Sequence, residues 1–330
     1  MNSITKNQLA AVLLTTDIFM LFCFQGSLSL WSASGFMLGI AAQGLLALPL
    51  VIFADGGGKT EKWAEIFYLA CIVLWGGYLL CRLWNACDTI FVPYETTGGL
   101  KGHLLITGMI SLVCLYISST GMKSVSRSSV IAAGIGVIFL AVNLISSVKR
   151  QNFGNITASF GGRGFVDGLF LCFSMSGSII VGAVLAPLVH DNCRSGAKLY
   201  FSLRTALSAA VLITTLLVTG GIMSITDFPV ITAAQLSQPF TRQRIDSLFM
   251  ILFAIFAVFS VTSQVMTGSY LLGEIFPKFR KWRSTAMIFI IIAAAVLLSG
   301  MSVYGVFTAF LTLTAEFAVP LVMLIRRRKR

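Results

Sequence analysis

Residues 165–189 read FVDGLFLCFSMSGSIIVGAVLAPLV. An apolar run of this length crosses a hydrocarbon core of about 30 Å, for which roughly 20 helical residues suffice. Its middle is Ser174-Met175-Ser176-Gly177-Ser178, with Gly182 and Pro187 beyond. Small polar residues at that depth permit local unwinding, which frees backbone amides and carbonyls for a substrate or an ion. The same residues suit close packing against a neighbouring helix, which needs no ligand. Both readings make the segment a membrane helix with an unusual centre.

Working outward, comparable apolar runs lie near 8–28, 31–53, 63–91, 102–121, 128–148, 199–223, 245–273, 284–301 and 303–325. The chain is 57% hydrophobic and 11% charged, against roughly 45–50% and 25% in an ordinary soluble domain. Backbone groups in lipid must be satisfied within each segment, and the runs lack the period-two alternation of barrel strands. The fold class is therefore an all-α integral membrane protein of about ten transmembrane helices. It forms a single transmembrane domain over residues 1–330.

A net charge of +12 would suggest nucleic acid in a soluble protein, but here the basic residues stand in short connections between apolar runs. That placement is a topology signal and argues against a nucleic-acid partner. With the N-terminus inside, 17 of the 24 Lys and Arg fall on the inner side. The 7 outer ones are Arg82, Lys101, Lys149, Arg150, Arg163, Arg242 and Arg244. The bias predicts a multi-pass protein of the cell membrane with both termini cytoplasmic, and the tail Arg326 to Arg330 lying on anionic lipid headgroups. One lysine, Lys6, precedes the first apolar run and no cleavage signature follows it, so that run reads as a retained helix.

Seven scattered cysteines without a CxxC pair read as free thiols, with neither disulfide nor metal. His103 and His190 stand at span ends with no second ligand at metal spacing, and no cofactor is indicated. No span holds a His, Cys and acid cluster at catalytic spacing, which argues against an enzyme. Two polar connections, 150–164 and 224–244, fall on the outer side. The second has room for a short interfacial helix or lid, or is a plain loop.

Charged groups at bilayer depth cost at least about 2.5–3.5 kcal/mol, so each needs a reason. Asp17, preceded by Thr15 and Thr16, stands eleven residues beyond Lys6, about 16 Å deeper along a helix. It either serves a ligand or proton, or packs against a neighbour such as Arg82. Trp75, Tyr78, Arg82 and Asn85 share one face of the third span. That face suits a carboxylate or an aromatic ring, unless Arg82 marks the outer boundary. Ser260, Ser263, Thr267, Tyr270 and Glu274 form a stripe on the eighth span beside Gln264. The stripe faces the bundle interior, lining a ligand path or bonding back to its own helix. Thr308, Thr312 and Glu316 share a face of the last span, where Glu316 is a proton carrier or pairs with Arg326 or Arg327. A ligand site of this kind predicts that Trp75, Arg82, Ser176 and Ser263 converge near mid-membrane.

Further motifs add a resemblance. Ala186-Pro187 closes the sixth span, with His190 and basic residues after it, and Gly220-Gly221 precedes a loop containing Phe228-Pro229. Arg244-Ile245-Asp246-Ser247-Leu248-Phe249 leads into the eighth span. Gln8-Leu9, Gly77-Tyr78 and the basic tail after Pro320 match more weakly. Together these resemble, over most of the chain and at low identity, the endospore germination permeases. These are the B-subunits of spore germinant receptors, a branch of the amino acid-polyamine-organocation transporter superfamily. The resemblance implies a LeuT-like fold of two inverted five-helix repeats, about 8–148 and 165–325, with helices one and six discontinuous. It also implies a small-molecule site, for an amino acid, between helices one, three, six and eight. The residues read above that fall on those helices, and are the candidate ligand-binding set, are Thr16, Asp17, Trp75, Tyr78, Arg82, Ser174, Ser176, Gly177, Ser178, Ser260, Ser263 and Gln264. Implied partners are a larger A-subunit and a lipoprotein C-subunit in the spore inner membrane.

The same resemblance leaves two other functions open, a proton-coupled amino acid permease with Asp17 or Glu316 titrating, and a structural subunit without ligand. The sequence departs from the family pattern in two places. The first helix has Thr-Thr-Asp-Ile-Phe-Met-Leu-Phe-Cys where a Gly-rich point is usual, and the sixth lacks the Gly-x-Glu element.

Overall fold

The computed structural model describes residues 4–25, 29–57, 60–91, 100–156, 162–190, 192–220, 228–236, 246–279, 282–299 and 304–328. Gly221, Arg244 and Ile245 of the motifs above lie outside the described residues, as do Lys59, Arg242, Arg280, Lys281, Lys329 and Arg330. Fourteen α-helices are described: α1 (Lys6–Phe22), α2 (Leu30–Leu46), α3 (Leu48–Asp55), α4 (Lys62–Phe91), α5 (Leu100–Ser119), α6 (Met122–Ser147), α7 (Gly162–Ser174), α8 (Ser178–Leu185), α9 (Cys193–Thr219), α10 (Pro229–Leu236), α11 (Asp246–Ile275), α12 (Arg283–Leu298), α13 (Tyr304–Leu313) and α14 (Val319–Arg328). Seven helical segments are long and apolar enough to cross a membrane, with α2 and α3 together making one of them. The bent pair α7 and α8 makes an eighth, whereas α1 and α12 are shorter, at 17 and 16 residues.

α1 lies at the centre. Every residue from Leu9 to Phe22 is buried, as expected of a helix that is apolar on all sides, and it packs against α6, α8, α9 and α11. Its start is fixed by a capping box of Thr5 and Gln8. Ile4 adds a short parallel bridge to Val189, its amide donating to the Leu188 carbonyl (3.2 Å) and its carbonyl accepting from His190 (3.1 Å). Contrary to the expectation of a discontinuous first helix, α1 runs unbroken through Thr15-Thr16-Asp17. The Thr15 and Thr16 hydroxyls bond back to the Val12 carbonyl (2.9 and 3.4 Å), and the helix contains no Gly or Pro to free backbone groups.

The second apolar run is divided at Ala47, where Pro49 in the first turn of α3 lacks the amide that would continue the ladder. α2 crosses α7 at backbone distance. A Cβ on Gly168 would stand 1.9 Å from the Ser32 carbonyl oxygen, and one on Gly35 would stand 2.0 Å from that of Phe165. Small residues on both helices permit this approach. The outer layer includes α5 and α6, which present Leu105, Leu112, Ile138 and Ile145 outward. All seven cysteines are buried free thiols. Within the 224–244 connection, α10 is a short helix with Val230, Ile231 and Ala234 buried.

Candidate functional site

α7 and α8 meet at Met175-Ser176-Gly177 with a bend of 41°. The run of small polar residues therefore does interrupt the sixth span. Gly177 is required by its neighbour, since a Cβ there would lie 1.7 Å from the Trp75 indole. Trp75 is fully buried, with Tyr78 edge-on at 6.1 Å between ring centroids.

Below the break lies a buried charge pair. Ser178 Oγ donates to Asp17 Oδ1 (2.6 Å), Tyr200 donates to Asp17 Oδ2 (2.6 Å), and Arg204 Nε stands 3.3 Å from Asp17 Oδ2. Arg204 also donates to the Tyr200 hydroxyl (3.2 Å) and to Ser176 Oγ. Ser176 in turn reaches Gln43 Oε1 on α2 (3.0 Å) and the Cys172 carbonyl. Asp17 and Arg204 are 5% and 3% exposed, so each charge depends on the other and on these hydroxyls, as burial of ions requires.

The partner of Asp17 is thus Arg204, not Arg82. Arg204 also does not belong with the basic residues assigned to the inner surface, because α9 carries it into the bundle. Tyr200, Arg204, Gln43 and Cys172 are absent from the sequence-derived site. One signal for Arg204 was available: it stands eleven residues into α9, and Asp17 stands eleven beyond Lys6. Helices entering from one side bring such residues to one depth.

A second group joins α1 to α11. Thr16 Oγ1 is 3.3 Å from Ser263 Oγ, Ser263 donates to the Ser260 carbonyl (2.8 Å), and Ser260 reaches the Thr15 carbonyl at 3.5 Å. The polar stripe of α11 is buried at Ser260, Ser263, Gln264 and Thr267 and emerges at Glu274. Ser174 bonds back to the Leu171 carbonyl (2.9 Å) and contributes little to either group.

Arg82 stands apart from Ser176. Its Nε donates to the Tyr78 hydroxyl (2.8 Å), its guanidinium lies 4.9 Å from the Tyr78 ring centre, and Nη1 reaches Gln25 just past the end of α1. Seven residues beyond Trp75, it is about 10 Å further along α4. Glu316 also departs from its expected pairing. Arg326 pairs with Glu61 (3.2 Å) and Arg327 donates to the Gly56 carbonyl (2.6 Å). Glu316 instead lies fully buried in a π-helical turn, Thr314–Ala318, whose Ala315 carbonyl accepts from Tyr68 (3.1 Å). His103 bonds to Asp88 (2.8 Å) and stacks on Trp84.

Several buried polar atoms have no hydrogen-bond partner among the described residues. Gln43 Nε2 and Trp75 Nε1 belong to residues that touch the break, and the others are the Thr262, Thr267 and Ser269 hydroxyls, both polar atoms of Gln264 and both oxygens of Glu316. Each such group costs about 1–3 kcal/mol. Buried groups of this kind are satisfied by ordered water or by a small polar ligand.

No family model matches the chain, and no curated protein matches it in sequence. Among solved structures it is similar to MHP1, a nucleobase-cation-symport-1 family transporter, in a closed conformation with bromovinylhydantoin bound. Identity is 15%, the TM-score is 0.65, and the match covers 99% of this chain and 80% of that one. The chain is a multi-pass membrane protein, helical over its described residues, and it shares the LeuT-type fold of that protein.

Proposed function

We propose that this protein binds a small polar molecule of the amino-acid class at the α7–α8 break and that it is the ligand-binding B-subunit of a spore germinant receptor. The observation carrying the binding part is the Asp17–Arg204 pair, buried beside Ser176 and Ser178, with unpartnered polar atoms on Gln43 and Trp75 next to the break. A zwitterion offers a carboxylate to Arg204 and an ammonium to Asp17, exchanging one charge pair for two. Trp75 and Tyr78 supply an apolar wall for a side chain. The receptor part rests on the germination-permease resemblance. It carries with it the A- and C-subunits, the spore inner membrane, ten spans in two inverted repeats and cytoplasmic termini.

Glu316 favours a second reading, a proton-coupled amino acid permease. A fully buried carboxyl without a hydrogen-bond partner is the type of group that carries a proton through a membrane protein. The structural subunit without ligand is the weakest reading, since it gives the unpartnered groups no role.

Reconstituted protein separates these readings. A labelled amino acid that binds wild type and not Asp17→Asn, without accumulating in proteoliposomes, is the result expected of the receptor. Accumulation driven by a pH gradient and lost in Glu316→Gln would establish the permease. Absence of binding by every amino acid, with a folded protein, sinks both.

A further inference from the structure

The bundle has a second concave feature, away from the α7–α8 break. A groove of about 660 Å³ runs between α2–α3 and α9. Its walls are apolar on one side (Ile40, Gly44, Val51) and end on Phe201 and Thr205 on the other. From Arg194 to Ala206 its lining follows α9 for twelve residues, about 18 Å, a little over half of a hydrocarbon core of about 30 Å. Arg194 and Lys198 stand at one end, exposed, one turn apart and in no ion pair with a described residue. The nearby carboxylate of Asp55 is held by the Cys193 amide (2.9 Å) at the start of α9.

We propose that this groove binds an anionic phospholipid, its phosphate between Arg194 and Lys198 and an acyl chain along α9. Charge complementarity selects the occupant. Two exposed cations on consecutive turns of one helix offer a site for an anion, and the apolar groove below them suits a chain attached to that anion. Basic pockets between transmembrane helices recognise lipid headgroups in this way. The groove also reaches the central site, because the Phe201 ring packs on Tyr200 (4.9 Å between centroids) and Tyr200 donates to Asp17. A chain resting on Phe201 therefore supports the Asp17 cluster from behind.

The test is native mass spectrometry of the full chain, delipidated in neutral detergent and incubated with phosphatidylglycerol or with phosphatidylcholine of the same chains. Wild type is expected to retain phosphatidylglycerol preferentially, on the order of tenfold. R194Q/K198Q is expected to lose the preference, while K149Q/R150Q, a basic pair outside the groove, keeps it. Ser202→Trp, which fills the groove and leaves both cations, is expected to reduce retention as well. The proposal is overturned by no preference in wild type, by a preference that survives R194Q/K198Q or Ser202→Trp, or by a polypeptide rather than lipid bound in an Arg194- and Lys198-dependent way.

Discussion

Arg204 links three elements through one guanidinium, touching Asp17 on α1, Ser176 at the break and Tyr200 on its own helix. Arg204→Met leaves the Asp17 charge buried and unpaired, so it is expected to cost about 3–5 kcal/mol, read as a lowered melting temperature in detergent. Adding Asp17→Asn should return much of that loss. Arg204→Lys should rescue poorly, since an ammonium cannot reproduce the planar fork that serves three oxygens. Gly177→Ala is expected to destabilise the protein, and less so in a Trp75→Ala background, which a double-mutant cycle would show as a coupling of about 0.5–3 kcal/mol. Asp17 was legible in the sequence because a carboxylate in an apolar run stands out. Arg204 was harder to read, because it follows Arg194 and Lys198 in one helix and reads as a continuation of a basic surface. Its depth along α9, matching that of Asp17 along α1, was the one sign that separates it from them.

At the scale of elements, local composition predicts some interruptions and misses others. Ser176-Gly177-Ser178 foretold the break between α7 and α8, since small polar residues at mid-span weaken the helix there. The division of α2 from α3 at Ala47 had a visible cause in Pro49. The exact placing of the π-helical turn Thr314–Ala318 was not visible, although Pro320 just after it lacks the amide that would serve the Ala315 carbonyl, which accepts from Tyr68 instead. The fit of α2 against α7 was likewise invisible, as glycines that pack and glycines that merely occur look alike in a single sequence. Gly168→Ala is expected to cost at least the ~1–3 kcal/mol of overpacking, because the obstructing atom is a backbone carbonyl. Gly134→Ala, whose added methyl meets open space, should instead be neutral or stabilising by up to about 1 kcal/mol. Thermal melts of the two variants check the contrast.

For the whole molecule, apolar run lengths were sufficient to establish a polytopic helical bundle, because lipid leaves the backbone few alternatives. The centre of that bundle was less legible, since its polar groups meet from α1, α2, α4, α8, α9 and α11 and no spacing within one helix encodes the meeting. Charge distribution predicts the direction of insertion, and removing Arg204 from the inner set leaves the bias intact. A reporter that functions only in the cytoplasm, fused after Arg330, is expected to be active. An inactive reporter on a folded fusion would reverse the orientation.

The short bridge at Ile4 carries a mechanical consequence. Its two backbone hydrogen bonds to Leu188 and His190 fasten the start of α1 to the chain just past α8. Any rocking of α8 about the hinge at Met175-Ser176-Gly177 must drag the N-terminus along or tear those bonds. Ile4 thus ties the start of α1 to the chain on the far side of that bend.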